Sequence, residues 1–355
     1  MAEDHFNPRM LKLAREWKGE TQSSLSEKAG VPQALVSKLE NGLIHHPGEE
    51  ALEAMAKVLN LPQAFFCQEE RVTGLPDFHY RKRKKLGSKQ LTQIEAVINI
   101  RRMHVEKLLR SCEAEPAKPI PQVDLDQYGW TPERAAEYVR QYFMLPRGPI
   151  DDLTGVIEGA GGIVVHASFK TSLIDGLSFR FGTMPPLFFM NKDAPGDRYR
   201  YSLAHELAHM VLHNLPGEDD QREREADRFA AEFLMPAKEI RPYLKAPKLG
   251  VLTRVKAYWK VSIASLIRRA FDLKLITPSQ YKSLNIQYRK NYHDEEPHYI
   301  EVETPKRLTA MVRFHLNNLS YTSSDLAELL CLPRDDVEAH YIGKIDKKPQ
   351  LTVVR

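Results

Sequence analysis

Two histidines four residues apart, with a glutamate directly after the first, form the arrangement in this sequence best suited to chemistry: Ala204-His205-Glu206-Leu207-Ala208-His209. On a helix, side chains at i and i+4 share a face one turn apart, so the imidazoles of His205 and His209 can meet at one metal ion. Glu206 lies about 100° round such a helix, where a carboxylate reaches an activated water without being a ligand. Zinc suits this donor set. It keeps a position for solvent and lowers the pKa of water from about 16 toward 7, and a neighbouring carboxylate can then take the proton. The expected cofactor is therefore Zn2+, with Glu206 as general base.

A third ligand is sought in the next helical segment, Glu223-Arg224-Glu225-Ala226-Asp227-Arg228-Phe229-Ala230-Ala231-Glu232-Phe233-Leu234. Ala226, Phe229, Ala230 and Phe233 make an apolar face for packing against the first helix. Glu223 and Asp227 are one turn apart, so one can bind metal while the other holds a histidine N–H. Glu225 competes as ligand; Glu223 is preferred because it sits closer to the Ala226–Ala230 face. His213 is a different matter. On a continuous helix its Cα lies about 12 Å from that of His205, too far for three rings to converge. It is expected as a helix-end histidine near the last carbonyls.

The surrounding elements must hold these groups rigidly. Residues 199–213 and 221–235 read as the two helices, broken by Asn214-Leu215-Pro216-Gly217. Apolar and β-branched runs at 163–169, 177–182 and 187–190 read as strands of a small sheet. Thr131-Pro132-Glu133 opens a helix with a cap, a proline and an early acid. Upstream, residues 7–70 read as a chain of short helices: Met10, Leu13, Ala14 and Trp17 at helical spacing, a second helix capped by Thr21, and a third over 32–41. The third buries Leu35, Val36 and Leu39, and a fourth presents Leu52, Met55, Ala56 and Leu59. A longer helix is expected over 89–110, and the proline-rich stretch 115–121 reads as a linker.

The ordered set of segments is more specific than the histidine motif alone. Ile174-Asp175-Gly176-Leu177-Ser178, Pro186-Leu187-Phe188-Phe189-Met190-Asn191, Pro195-Gly196-Asp197-Arg198-Tyr199-Arg200-Tyr201-Ser202-Leu203 leading into His205-Glu206-Leu207-Ala208-His209, and Glu223, Ala226, Phe229-Ala230 and Leu234-Met235-Pro236 together resemble the ImmA/IrrE family of metallopeptidases. The likeness covers about residues 120–290. It implies one zinc held by His205, His209 and Glu223, with Glu206 as base, and regulators that cleave a helix-turn-helix repressor. Ala208 stands where that family often has glycine. Tyr201 and Arg198 are candidates for stabilising an oxyanion, and each also has a structural reading.

Thr21-Gln22-Ser23-Ser24-Leu25, Gly30-Val31-Pro32 and Leu35-Val36-Ser37-Lys38-Leu39-Glu40-Asn41-Gly42 resemble the helix-turn-helix of Cro/C1-type (XRE) repressors over about residues 7–66. The 32–41 helix would enter the major groove, presenting Gln33, Ala34, Ser37 and Lys38 to base edges. Gln33 can read adenine in two-point fashion, while Gln22 and Asn41 position phosphates. Residues 1–70 hold 7 Lys/Arg against 11 Asp/Glu, whereas residues 71–110 hold 11 against 3. Attraction to phosphate must therefore come mainly from the second segment, above all residues 81–85 and Lys89. The acidic balance also fits a helical interaction domain that binds no DNA. A second helix-turn-helix rhythm at 305–345 carries Asp335, Asp336 and Glu338, which phosphate would repel, and reads as a packing or protein-contact module.

The expected fold is thus multidomain, mainly α with a small β-sheet. It comprises a helix-turn-helix bundle over 1–70, a basic linker and helix over 71–115, an α+β zincin-like metallopeptidase core over 116–245 and a helical C-terminal region over 246–355. The expected function is a transcriptional regulator with zinc-dependent endopeptidase activity on a repressor or on itself; the alternative is a DNA-binding regulator whose peptidase fold only senses or scaffolds. Expected partners are operator DNA, a protein substrate and a second copy in a homodimer, with no membrane. Three scattered cysteines form no CxxC pair, no apolar run approaches the roughly 18 residues of a membrane span, and the first residues are acidic and polar. Together these features point to the cytoplasm.

Overall fold

The structure is a computed structural model that describes residues 6–69, 87–112, 116, 118–171, 173–213, 220–292 and 295–343. The chain divides into two compact units. One gathers Met1–Leu75, Arg83–Ala114 and Arg307–Arg355, and the other Pro76–Lys82 and Glu115–Lys306. The C-terminal region expected as one block is therefore shared between the two units. Residues 81–85, the expected basic run, lie outside the described residues.

The first unit opens with α1 (Pro8–Lys18), α2 (Gln22–Ala29), α3 (Gln33–Glu40) and α4 (Glu49–Leu59). Side-chain caps explain where two of them start: Asn7 accepts from the Arg9 N–H and Thr21 from the Ser24 N–H. Gly19, at φ 75°, ends α1 in the left-handed region. Met10, Leu13, Leu25, Val36, Leu39, Met55, Phe65 and Phe66 form the core. Leu35 and Leu52, expected inside, are only half-buried. The long helix α5 (Ser88–Leu109) follows, and the C-terminal helices Arg307–Asn318 and Ser323–Leu330 belong to the same unit. Tyr341 fixes that association: its hydroxyl lies 2.6 Å from Arg101 Nη1 and 2.6 Å from His104 Nδ1. Arg307–Asn318 and Ser323–Leu330, within the stretch expected as a packing or protein-contact module, thus pack against α5.

The second unit is built round a three-stranded sheet, β1 (Ile163–Ala167), β2 (Gly176–Phe179) and β3 (Leu187–Asn191), in the order β1-β3-β2. β1 runs parallel to β3, with Ile163 opposite Leu187; β2 runs antiparallel, with Gly176 opposite Met190. Every residue of the central strand is buried, which its unbroken apolar run requires. α7 (Leu153–Gly159) and α8 (Gly196–Leu212) lie against the sheet, α9 (Asp220–Leu234) packs on α8, and α6 (Pro132–Tyr142) packs on α9; α10 (Leu249–Trp259), α11 (Ile263–Asp272) and α12 (Pro278–Asn291) follow. Within the stretch expected as a linker, Ile120 is packed into the core. Ile120 and Val123 are buried, and their N–H groups donate to the carbonyls of Ala160 and Val211.

α8 is anchored at both its flanks and its start. Leu203, Leu207 and Val211 are fully buried, and α9 answers with Ala226, Phe229, Ala230 and Phe233. Two alanines on that face let the helix backbones approach, while each fully buried Phe or Leu contributes about 1.5–3 kcal/mol. In the first turns of α8, Asp197 pairs with the buried Lys256, which also meets Glu296 at 2.9 Å. Arg200, buried, pairs with Glu303 and donates to the Ile150 carbonyl at 2.6 Å. Glu303 also accepts from the Leu153 and Thr154 N–H groups, capping α7. These charges are buried with partners, so removing one partner costs more than a surface pair would.

Candidate metal centre

α8 presents His205 and His209 one turn apart, and α9 brings its first turn opposite them. The two Nε2 atoms lie 3.1 Å apart. Glu223 Oε1 is 3.3 Å from His209 Nε2, and its Oε2 is 3.7 Å from His205 Nε2. Among the described residues these three form the one cluster of His, Cys, Asp or Glu whose donor atoms all fall within 4.8 Å of one another. A tetrahedral ion with bonds of about 2.0–2.1 Å keeps its ligands about 3.3–3.4 Å apart, so the spacing fits such an ion. The donors fit too: two imidazole nitrogens and one carboxylate, with His205 buried and His209 and Glu223 half-buried.

Outer groups hold the rings. His205 Nδ1 lies 3.0 Å from Asp227 Oδ1. Burial opposes a charge on His205, but hydrogen bonds to Asp227 and Glu223 and the nearby charge of Glu206 outweigh it, raising its pKa to about 9. His209 Nδ1 meets His213 Nδ1 at 3.0 Å, and His213 Nε2 meets Glu225 Oε2 at 3.1 Å. Burial, with His209 alongside, pushes the His213 pKa down to about 4. His213 is the helix-end residue expected, with its N–H on the His209 carbonyl, yet its ring turns to His209 and Glu225 and not to the last carbonyls. Glu225, the competing ligand, is spent on His213.

Glu206 is buried, and its Oε2 accepts from the Ser178 hydroxyl at 2.7 Å. Ser178 also reaches the Glu206 carbonyl at 3.2 Å. β2 can come this close to α8 because Gly176 has no side chain: a Cβ there would lie 3.2 Å from Glu206 Cγ and 2.7 Å from Met190 Sδ. Sequence reasoning quoted Ser178 within a motif but gave it no role; alternation along β2 would have aimed it and Gly176 at the same face. Of the two oxyanion candidates, Tyr201 donates to the Asp227 carbonyl at 3.3 Å, and burial raises its pKa. Arg198 is half exposed and pairs with Asp175 at 2.8 Å. Tyr201 is thus tied to α9 and Arg198 to the loop before β2.

Residues 158–271 match the IrrE N-terminal-like domain, a peptidase-type family, and residues 11–63 match the helix-turn-helix family. The chain therefore carries both domains its sequence resembles. The IrrE N-terminal-like domain spans the sheet, α8, α9 and α11, and so contains the whole cluster. It is a metallopeptidase-type domain, and the helix-turn-helix marks a regulator of DNA-binding type. No curated protein matches the chain. Among the described residues no helix is long and apolar enough to cross a membrane.

The helix-turn-helix domain places Gln33, Ala34 and Lys38 exposed along α3, with Ser37 half-buried. Gln33 donates to Gln22 Oε1 at 3.2 Å, and Gln22 donates to Glu40 Oε2 at 2.9 Å. Arg15 completes the group, its guanidinium on both oxygens of Glu40. The glutamine pair is thus fixed at the start of α2 and α3. Asn41 donates to the Ser37 carbonyl at 2.9 Å and is turned back on its own helix. Lys89 is exposed at the start of α5.

Proposed function

We propose that the protein is a transcriptional regulator with zinc-dependent endopeptidase activity, which cuts a repressor-type protein or its own chain. The observation behind this reading is the convergence of His205, His209 and Glu223 at tetrahedral spacing beside a buried Glu206 held by Ser178. Those three residues would hold zinc, which when bound supplies Lewis acidity and brings water's pKa down toward about 7. Glu206, steadied at Oε2 by Ser178, accepts the proton of the attacking water and passes it to the leaving amide nitrogen. Asp227 keeps His205 oriented with its proton on Nδ1, leaving Nε2 as the donor atom. A purely structural zinc site has no need of Glu206 or of the serine that aims it.

In this reading Gln22, Gln33, Ala34, Ser37, Lys38 and Asn41 face an operator, and the buffer of charge comes from Lys89 and residues 81–85. The decisive test incubates the zinc-loaded protein, and its Glu206→Ala form, with the repressor encoded beside its gene, and sizes the products by mass. Cleavage by the parent alone supports the proposal. Equal cleavage by both forms, or none by either, overturns it.

A further inference from the structure

We infer that His213 and Glu225 act as a two-member relay that fixes the ring of His209 for metal binding; the inference rests on the metal-site reading above. His209 turns Nε2 toward His205 and Glu223, so a metal bound there leaves the proton on Nδ1. That N–H donates to His213 Nδ1 at 3.0 Å, which must then be an acceptor. His213 therefore carries its own proton on Nε2, where Glu225 Oε2 receives it at 3.1 Å. Every donor in the chain finds an acceptor in one direction, and each tautomer follows from the one before.

The backbone arranges this. His213 leaves α8 with φ −120° and ψ 99° while its N–H stays on the His209 carbonyl, and the two rings come to 5.1 Å between centroids. His213 is 9% exposed in its side chain and Glu225 is 18% exposed, so water competes weakly for either. Gln221 donates to the other oxygen of Glu225 at 2.9 Å and holds it in place. The counterpart on the other ligand is direct: Asp227 Oδ1 sits 3.0 Å from His205 Nδ1. α9 thus offers acids at three alternate positions, Glu223 to the donor atoms, Asp227 to one ring, and Glu225 to the other ring through His213. Outer partners of this kind change metal affinity by about 10–100-fold when removed.

The test uses the full chain. Zinc dissociation constants are measured by competition with a chromophoric chelator for the parent, His213→Ala, Glu225→Ala and Glu225→Gln. Both alanine variants should weaken zinc about 10–100-fold while still reaching about one zinc at saturation. Glu225→Gln should lose less, because its amide oxygen still accepts from Nε2–H. In parallel, imidazole nitrogen shifts of 15N-histidine-labelled, zinc-loaded protein should show His213 neutral with its proton on Nε2. A parent that binds zinc while both alanine variants match it overturns the relay alone, as does a His213 proton on Nδ1. A parent that binds no zinc overturns the metal site and the relay together.

Discussion

Replacing Glu223 by alanine separates a metal cluster from a pair of neighbouring histidines. Glu223 is partly exposed in the first turn of α9 and belongs to no apolar cluster, so the metal-free variant should melt within about 2 °C of the parent. Zinc changes that. At a hundredfold excess over its dissociation constant, a ligand binding only the folded state stabilises it by about 2.7 kcal/mol. The unit holding the site has 199 residues, for which 1 kcal/mol moves the melting temperature by about 2–4 °C. The parent should therefore gain about 5–11 °C. Losing one of three donors, with affinity weakened a hundredfold, leaves about 0.4 kcal/mol at the same zinc concentration, or about 1–2 °C. Differential scanning fluorimetry across a zinc series, with metal content of gel-filtered protein, reads both quantities. A Glu223→Ala protein that keeps one zinc and the full shift would refute the assignment and point to Asp227 or Glu225.

Three further outcomes are expected. Ser178→Ala removes a hydrogen bond to a buried carboxylate worth about 1.5–3 kcal/mol, so cleavage should slow by about 10–150-fold at unchanged zinc content; an unaltered rate would dismiss Ser178 as a support of Glu206. His205 has its pKa raised to about 9 in the metal-free fold, so it is charged at pH 7 and must lose that proton to bind metal through Nε2. Zinc uptake should then release about one proton, and affinity should rise with pH up to about 9. Calorimetry in two buffers of different ionisation enthalpy would expose the error if no proton appeared. Glu232 and Arg269 are both buried and paired, and Glu232→Ala should cost about 3–5 kcal/mol, a fall of about 6–20 °C in melting temperature. Arg269 also donates to the Met235 carbonyl, at 3.1 Å from Nε and 2.9 Å from Nη2, and a drop under 2 °C would show that this carbonyl alone satisfies the guanidinium.

The fold was legible where local rules act over short stretches. Thr21 and Thr131 cap helices as their sequence context demanded, and the three strands overlap the apolar runs at 163–169, 177–182 and 187–190, with β2 and β3 each reaching one residue beyond its run. What escaped were partners far apart in the chain. Nothing local in Arg307–Asn318 or Ser323–Leu330 says that they join α5, because the contacts that decide it, such as Arg101 and His104 on Tyr341, span more than two hundred residues. The same holds for Ile120: a proline-rich stretch reads as a linker until a buried carbonyl at Ala160 claims its N–H.

The site divides along the same line. His205, Glu206 and His209 were readable because helical spacing alone sets their geometry, and Glu223 was readable because its helix has a single apolar face. His213 was misjudged in its partner by an argument that was sound about ligation. Helix geometry does place its Cα too far from His205 to share an ion, but it says nothing about a ring reaching back one turn to His209. At a helix end the backbone is free to leave α geometry, and here it does so at φ −120°. The 3.6-residue period governs positions within a helix and loses its force at the last residue, so a motif that ends on a cap must be read for second partners as well as for ligands. Glu225 follows from this: an acid two residues from a ligand faces away from the ion, yet meets the ring that the cap has turned toward it.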